Sequence, residues 1–154
     1  MGYYSEVVIY MNKPAMMQFV TDLKGEDEQK KSCVISELEY ADNIFVADNG
    51  DIIIKWHSTK WYNRDGVVWI ENEITKISND AEDVIGDPPP EVIYLRLGKN
   101  DDDVESTESS TSTNPYNIYI RREISIDTDT DGLQSEEPHG FFTKLLSKKQ
   151  KKEK

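Results

Sequence analysis

The stretch IFVADNGDIIIKW, residues 44–56, contains two runs of β-branched and aromatic residues on either side of a short polar segment. Asn-Gly is the residue pair that most often occupies the two positive-φ positions of a type I′ turn, and Asn49-Gly50 lies at the middle of this segment. The stretch therefore predicts a β-hairpin whose two strands are joined at Asn49-Gly50.

The residues before this hairpin predict one strand and two helices. Residues Tyr3–Met11 are rich in aromatic and β-branched side chains, and Asn12-Lys13-Pro14 combines a helix-capping residue with a proline tolerated in the first turn. Apolar residues then recur at helical spacing in two segments separated by Gly25 and a charged run. The members of these two apolar faces are Met16, Phe19, Val20 and Leu23, and then Val34, Leu38 and Ala41.

The residues after the hairpin predict a third helix and two more strands. Helical spacing of apolar residues begins near Asp65, and the stiff segment Asp87-Pro88-Pro89-Pro90 then leads into a strand at Val92–Leu97. Residues Lys99–Asn114 are almost all polar and predict an exposed loop. Alternating isoleucines in Tyr116–Ile126 predict the last strand of the sheet.

The predicted order is therefore β-α-α-β-β-α-β-β, which indicates an α+β fold. We expect a mostly antiparallel five-stranded sheet with two to three helices on one face, an arrangement comparable to ferredoxin-like folds. Three parts of the chain are expected: an acidic α+β domain at residues 1–126, with the exposed loop at 99–114, an acidic linker at 127–140, and a basic C-terminal tail at 141–154.

Charge is distributed unevenly along the 154 residues. Residues 1–137 carry 29 acidic and 12 basic side chains, a net charge of −17, whereas residues 138–154 carry one acidic and six basic side chains, a net charge of +5. An acidic body repels nucleic acid and favours partners with a basic surface. We therefore expect no direct contact with nucleic acid.

The remaining composition favours a protein of the cytoplasm. The chain has no apolar run long enough for a membrane span, its first residues lack the pattern of a signal peptide, and its single cysteine, Cys33, cannot form an internal disulfide. We interpret Cys33 as a small apolar residue of a helix, and the oligomeric state stays open.

Catalytic motifs are sparse. The sequence contains no glycine-rich phosphate loop, no metal-binding helix with paired histidines, and no Cys-His arrangement. His57, beside Trp56, is the candidate base of an alternative reading in which the chain is a small hydrolytic or nucleotide-directed enzyme. We favour a non-enzymatic protein and assign no catalytic residue.

A second alternative is a calcium-binding module. Asp127, Asp129 and Asp131 alternate along the chain and precede Gly132, as in the opening of an EF-hand loop. The twelfth position of that loop, where a bidentate glutamate belongs, is Pro138. The segment is therefore either a calcium site that departs from the EF-hand pattern or an acidic linker.

Two aromatic segments are candidate partner-binding surfaces. Trp56, Trp61 and Tyr62 lie close together between lysines, and they either anchor a partner or cover the edge of a small core. Phe141, Phe142, Leu145 and Leu146 precede a lysine-rich end, and they form either an amphipathic binding helix or part of a disordered tail. Because the apolar pattern of the core ends at Ile126, we expect removal of residues 138–154 to leave the domain folded.

Four short segments carry a resemblance to known proteins: residues 1–7, Lys60-Trp61-Tyr62, Leu95–Gly98 before Asp101-Asp102-Asp103, and residues 118–122. As an ensemble, residues 1–126 resemble small accessory proteins of tailed bacteriophages. The resemblance implies a viral protein that acts in the cytoplasm of a bacterial host. Together with the acidic body, it leads us to expect a non-enzymatic protein that binds a host macromolecule, as an inhibitor of a DNA-binding or defence protein, in host takeover or anti-defence.

Overall fold

A computed structural model describes residues 5–61, 64–81, 89–98, 104–109, 114–116, 118–120, 124–125 and 133–147. Within these ranges the chain forms eight strands and four helices. The strands are β1 (Ser5–Met11), β2 (Asn43–Val46), β3 (Ile52–Thr59), β4 (Val92–Leu97), β5 (Val104–Glu108), β6 (Tyr119–Ile120), β7 (Ile124–Ser125) and β8 (Gln134–Glu136). The helices are α1 (Lys13–Lys24), α2 (Glu28–Glu39), α3 (Asp65–Asp80) and α4 (Phe141–Ser147). None of these helices is long and apolar enough to cross a membrane.

The main sheet has six strands in the order β5-β4-β1-β3-β2-β8, and all of its neighbouring strands are antiparallel. Its four inner strands follow the order β4-β1-β3-β2. Helices α1 and α2 connect β1 to β2, and β3 lies between these two strands. Helix α3 connects β3 to β4, and β1 lies between them. This is the split βαβ arrangement. The predicted α+β class with an antiparallel sheet is confirmed.

The core lies on both faces of the sheet, because the side chains of β1 alternate between them. Val7, Ile9 and Met11 point to the face covered by the helices, where they join buried residues of all four helices. Val8 and Tyr10 point to the other face, where they join a smaller cluster that includes Tyr116 and Ile118. Every residue of strand β1 except the half-buried Glu6 is consequently buried.

The β2–β3 hairpin is confirmed, but its turn differs from the prediction. Strands β2 and β3 pair in the register Val46↔Ile52, so five residues connect them. Gly50 has φ 97°, whereas Asn49 has no positive φ. The amide of Gly50 donates to the carbonyl of Ala47 at 3.0 Å, and the amide of Ala47 donates to the carbonyl of Asp51 at 2.9 Å. The turn is therefore a longer one closed by a glycine, and only Gly50 needs positive φ.

The predicted numbers of strands and helices were too low. The main sheet has six strands instead of five because it gains two unpredicted strands and lacks the predicted last one. Strand β8 lies within the predicted linker 127–140 and pairs with β2. Strand β5 lies within the segment 99–114, for which the sequence predicts a loop. Its residues are mostly exposed, as expected, yet its backbone pairs with β4 in the register Tyr94↔Thr107. An edge strand needs no apolar side chains, since backbone hydrogen bonds hold it and polar side chains protect its outer edge.

The segment Tyr116–Ile126 does not form the predicted single strand of the main sheet. It contributes β6 and β7, which pair with each other in the register Tyr119↔Ser125 and Ile120↔Ile124. The charged run Arg121-Arg122-Glu123 separates the two short strands in the sequence. The alternating pattern nevertheless marked a segment that packs on the sheet, because Tyr116 and Ile118 are buried against its second face.

Candidate functional site

A cleft of about 690 Å³ lies at one end of the sheet, where β1 ends, α1 begins and the β2–β3 turn approaches the start of β4. It combines apolar walls with polar groups, the composition of many ligand sites. Its lining residues are Tyr10, Asn12, Lys13, Pro14, Met17, Asn49, Asp51, Glu91, Pro115 and Tyr116.

Asn12 joins α1 to the start of β4. Its Oδ1 accepts hydrogen bonds from the amide of Ala15 at 3.1 Å and from the amide of Glu91 at 2.9 Å. Its Nδ2 donates to the carbonyl of Pro89 at 2.8 Å, and its own amide donates to the carbonyl of Glu91 at 3.1 Å. The predicted helix cap therefore also fixes Glu91 at the cleft.

Asp51 is held at the cleft by three elements. Its Oδ1 accepts from the amide of Lys13 at 3.2 Å, and its Oδ2 accepts from Asn49 Nδ2 at 3.2 Å and from the phenol of Tyr116 at 3.1 Å. The amide of Asp51 in turn donates to Asn49 Oδ1 at 3.0 Å. Because these partners come from the turn, from α1 and from the segment before β6, the Asp51 carboxylate fixes the arrangement of all three.

Tyr10 and Tyr116 are protonated donors in this cleft. Their rings meet edge to face with centroids 5.8 Å apart, and Tyr10 Oη donates to Glu91 Oε1 at 3.3 Å. Burial is the main cause that raises the pKa of both phenols, and the negative charge of Asp51 is the next cause. The pKa of Tyr116 rises to about 12, and that of Tyr10 rises further. Neither phenol ionises at neutral pH.

The described lining residues give the cleft an acidic character. Asp51 and Glu91 are each only 7% exposed, and Lys13 is the one basic residue among the described lining residues. The described lining residues include no serine, cysteine or histidine that would serve as nucleophile or imidazole base. The arrangement can accept hydrogen bonds from an ammonium or guanidinium group and cover its apolar stem.

The predicted aromatic surface belongs to the core where the structure describes it. Trp56 is completely buried, and its Nε1 donates to the carbonyl of Glu37 at 3.0 Å. Its ring packs on Trp61 at a centroid distance of 4.8 Å. Trp61 Nε1 lies 3.1 Å from Glu71 Oε2 and 3.0 Å from the Tyr94 phenol oxygen. Tyr62, the third member of the predicted surface, lies outside the described residues.

The apolar residues of the predicted tail pack against the folded body. Phe142 has 0% exposure and lies 6.2 Å from Phe19 of α1 and 5.2 Å from Phe141, measured between ring centroids. The half-buried residues Phe141, Leu145 and Leu146 pack around the same cluster. The expectation that the core ends at Ile126 is therefore wrong, because α4 contributes a completely buried phenylalanine to it.

The other predicted candidates form no site in the described part of the chain. His57 is exposed, its amide donates to Asp42 Oδ2 at 2.6 Å, and its imidazole makes no hydrogen bond or ion pair with another described residue. Asp127, Asp129 and Asp131 lie outside the described ranges. Among the residues within those ranges, no group of three acidic, histidine or cysteine side chains is placed to hold a metal ion.

Sequence reasoning missed the cleft because its members come from four separate segments. In the sequence, Tyr10 belongs to a predicted strand, Asp51 belongs to a predicted turn, and Glu91 directly follows the proline-rich segment. One signal was present: Asn12 and Asp51 are polar residues directly next to predicted strand ends, and Asn49 lies in the same turn as Asp51. Only the pairing Met11↔Ile52 and Met11↔Val92 shows that those ends lie side by side.

Comparison with known proteins gave no match to a protein-family model, a curated protein or a solved structure.

Proposed function

We propose that this chain is a non-enzymatic binding protein whose cleft receives a basic side chain from a partner protein. The observation that carries the proposal is the pair of buried carboxyl groups, Asp51 and Glu91, in a cleft that has Lys13 as its one described basic lining residue. Charge-assisted hydrogen bonds from a lysine or arginine to such groups are about twice as strong as neutral ones.

The walls of the cleft suit the apolar stem of such a side chain. Pro14, Pro115 and Met17 line it, and Met17 is 59% exposed although it is a large apolar residue. Lysine and arginine bury their methylene groups against apolar surface while their charged heads find polar partners. A flexible methionine adapts to stems of different shape.

The charge of the body supports a basic partner at longer range. The net charge of −17 over residues 1–137 accelerates the approach of a basic surface and disfavours nucleic acid. On the resemblance to phage accessory proteins, we place this partner in a bacterial host and favour a DNA-binding or defence protein, whose basic groove the acidic body would occupy. The inner strand order β4-β1-β3-β2 supports a ferredoxin-like scaffold for the cleft.

The test compares variants that remove charge inside and outside the cleft. Two test variants, Glu91→Gln and Asp51→Asn, each remove one negative charge from the lining of the cleft. The control is Asp48→Asn, because Asp48 is an exposed residue of the same turn as Asp51 and does not line the cleft. The probe is a short arginine- and lysine-rich peptide, titrated at low salt and followed by NMR shifts of the amides that line the cleft.

We expect Glu91→Gln and Asp51→Asn to weaken peptide binding about tenfold, in line with the loss of one charged hydrogen-bond partner. Asp48→Asn should weaken it much less. Equal losses in all three variants, or shifts confined to residues outside the cleft, would show that the peptide responds to overall charge alone and would refute the proposed site.

A further inference from the structure

Lys13 brings a positive charge to the cleft that the acidic lining residues do not neutralise. Its backbone amide donates to Asp51 Oδ1 at 3.2 Å, and the residue lines the cleft together with Asp51 and Glu91. Its side chain is exposed, and no hydrogen bond or ion pair joins its ammonium group to another residue in the part of the chain that the structure describes. The charge of Lys13 is therefore accessible to a ligand of the cleft.

The stem of Lys13 lies directly over Gly50 in the β2–β3 turn. A Cβ atom at position 50 would lie 2.9 Å from Lys13 Cδ, 3.0 Å from Cγ and 3.2 Å from Cβ. Gly50 has φ 97°, a conformation that suits glycine, so the turn presents bare backbone to the lysine stem. Because three carbon atoms of the stem contact it, the side chain is oriented along the turn, at the residue between the lining residues Asn49 and Asp51.

A cleft that contains both signs of charge favours a ligand that carries both. Asp51 and Glu91 suit the basic side chain of the proposed function, whereas Lys13 repels that side chain if it arrives alone. An acidic group beside the basic one would pair with Lys13 and offset this repulsion. Specificity often combines an attractive contact to one ligand with a repulsive contact to its competitor. Lys13 is therefore suited to discriminate among basic segments.

The first turn of α1 disfavours one source of such an anion, the carboxylate at the end of a chain. Chain ends are commonly captured by backbone amides that have no other partner. Here the amide of Lys13 already donates to Asp51, the amide of Ala15 donates to Asn12 Oδ1 at 3.1 Å, and Pro14 has no amide hydrogen. An acidic side chain needs only the ammonium group of Lys13, so it is the source that the structure favours.

We propose that Lys13 is a specificity-determining residue of the cleft, and that the partner segment carries an acidic side chain directly next to its basic one. The basic group would lie at Asp51 and Glu91, and the acidic group would pair with Lys13 Nζ. This inference rests on the proposed function, because it adds a second charge to the same partner segment. It narrows the partner from any basic surface to one in which lysine or arginine adjoins aspartate or glutamate.

The test uses three peptides of equal length that each contain a single arginine. In the first peptide glutamate follows the arginine, and in the second glutamine replaces this glutamate; both have amidated C-termini. In the third peptide the arginine is the last residue and carries a free C-terminal carboxylate. Each peptide is titrated at low salt, and the amide NMR shifts of the residues that line the cleft are followed.

Two variants are compared with the unmodified chain. Lys13→Gln removes the charge but keeps an amide that can donate to Asp51 and a stem that can lie over Gly50. The control is Lys30→Gln, because Lys30 is an exposed lysine of α2 that does not line the cleft. Both variants change the net charge of the chain by the same amount, so a difference between them reports the position of the charge.

We expect the unmodified chain and Lys30→Gln to bind the glutamate peptide about two- to fivefold more tightly than the glutamine peptide, the range of one exposed ion pair. Lys13→Gln should lose this preference and, because the body is acidic, should bind the glutamine peptide at least as tightly as the glutamate peptide. In the unmodified chain, the peptide with the free C-terminal carboxylate should bind more weakly than the glutamate peptide.

The contrary outcomes separate this inference from the proposed function. If the glutamate and glutamine peptides bind at the cleft with equal affinity in all three chains, Lys13 has no role in specificity, although the cleft still receives a basic side chain. Tighter binding of the peptide with the free carboxylate would overturn the assignment of the anion to an acidic side chain. If none of the peptides shifts the amides of the cleft, the proposed function is refuted and this inference with it.

Discussion

Gly66 of α3 lies directly against the backbone of Cys33 in α2. A Cβ atom at position 66 would come within 2.5 Å of the Cys33 carbonyl oxygen and within 2.7 Å of Glu37 Cγ. The two helices therefore cross at a point where only glycine fits. The same crossing brings Arg64 to Glu37, with which it forms two hydrogen bonds of 2.8 and 2.9 Å.

The first prediction concerns this crossing. Gly66→Ala should destabilise the fold by about 1–3 kcal/mol, since the nearest clash is with a backbone carbonyl that cannot rotate away. Gly25→Ala is the control, because a Cβ there meets its nearest neighbour, the Asp22 carbonyl oxygen, at an ordinary 3.5 Å. Urea unfolding of both variants measures the difference, and equal stability would contradict the tight crossing.

The second prediction concerns Tyr116 and Asp51. Tyr116→Phe removes the phenol that donates to Asp51 Oδ2 at 3.1 Å and should cost about 1–2 kcal/mol of unfolding free energy at neutral pH. Tyr40→Phe is the control, because Tyr40 is 70% exposed, and it should change stability by less than about 0.5 kcal/mol.

The pH dependence of Tyr116→Phe gives a second readout. The pKa of Tyr116 is raised to about 12, so its protonated form stabilises the fold fully below the ordinary phenol pKa and this contribution disappears as pH approaches 12. The stability difference between the unmodified chain and Tyr116→Phe should therefore shrink above about pH 10. A difference that stays constant up to pH 12 would show that the phenol does not titrate with this raised pKa.

The elements with strong local signals were predictable from the sequence. The order β-α-α-β-β-α-β matches β1 to β4 with the first three helices, because each of these elements has a clear apolar pattern in the sequence. The cap of α1 was predictable as well, since the predicted cap residue, Asn12, accepts a hydrogen bond from the amide of Ala15.

The elements that depend on tertiary contacts were not predictable. Strand β5 has an entirely polar pattern apart from Val104, and it exists because β4 supplies its backbone partners. The cleft likewise depends on hydrogen bonds between residues far apart in sequence, such as Asn12 with Glu91 and Tyr116 with Asp51. Neither kind of contact produces a periodic pattern in the local sequence, so neither could be predicted from it.

The last prediction concerns α4, which the sequence indicated as an independent tail. Phe142 has 0% exposure and packs on Phe19, so Phe142→Ala should cost about 3–4 kcal/mol and lower Tm by roughly 6–12 °C. Lys144→Ala, on the exposed side of the same helix, is the control and should change Tm by only about 1–2 °C. A chain that ends at Glu137 should be destabilised at least as much as Phe142→Ala, because it also loses the packing of Leu145 and Leu146. If Phe142→Ala and the shortened chain both unfold at the temperature of the Lys144→Ala control, α4 contributes nothing to the core and the tail is the independent motif that its sequence suggested.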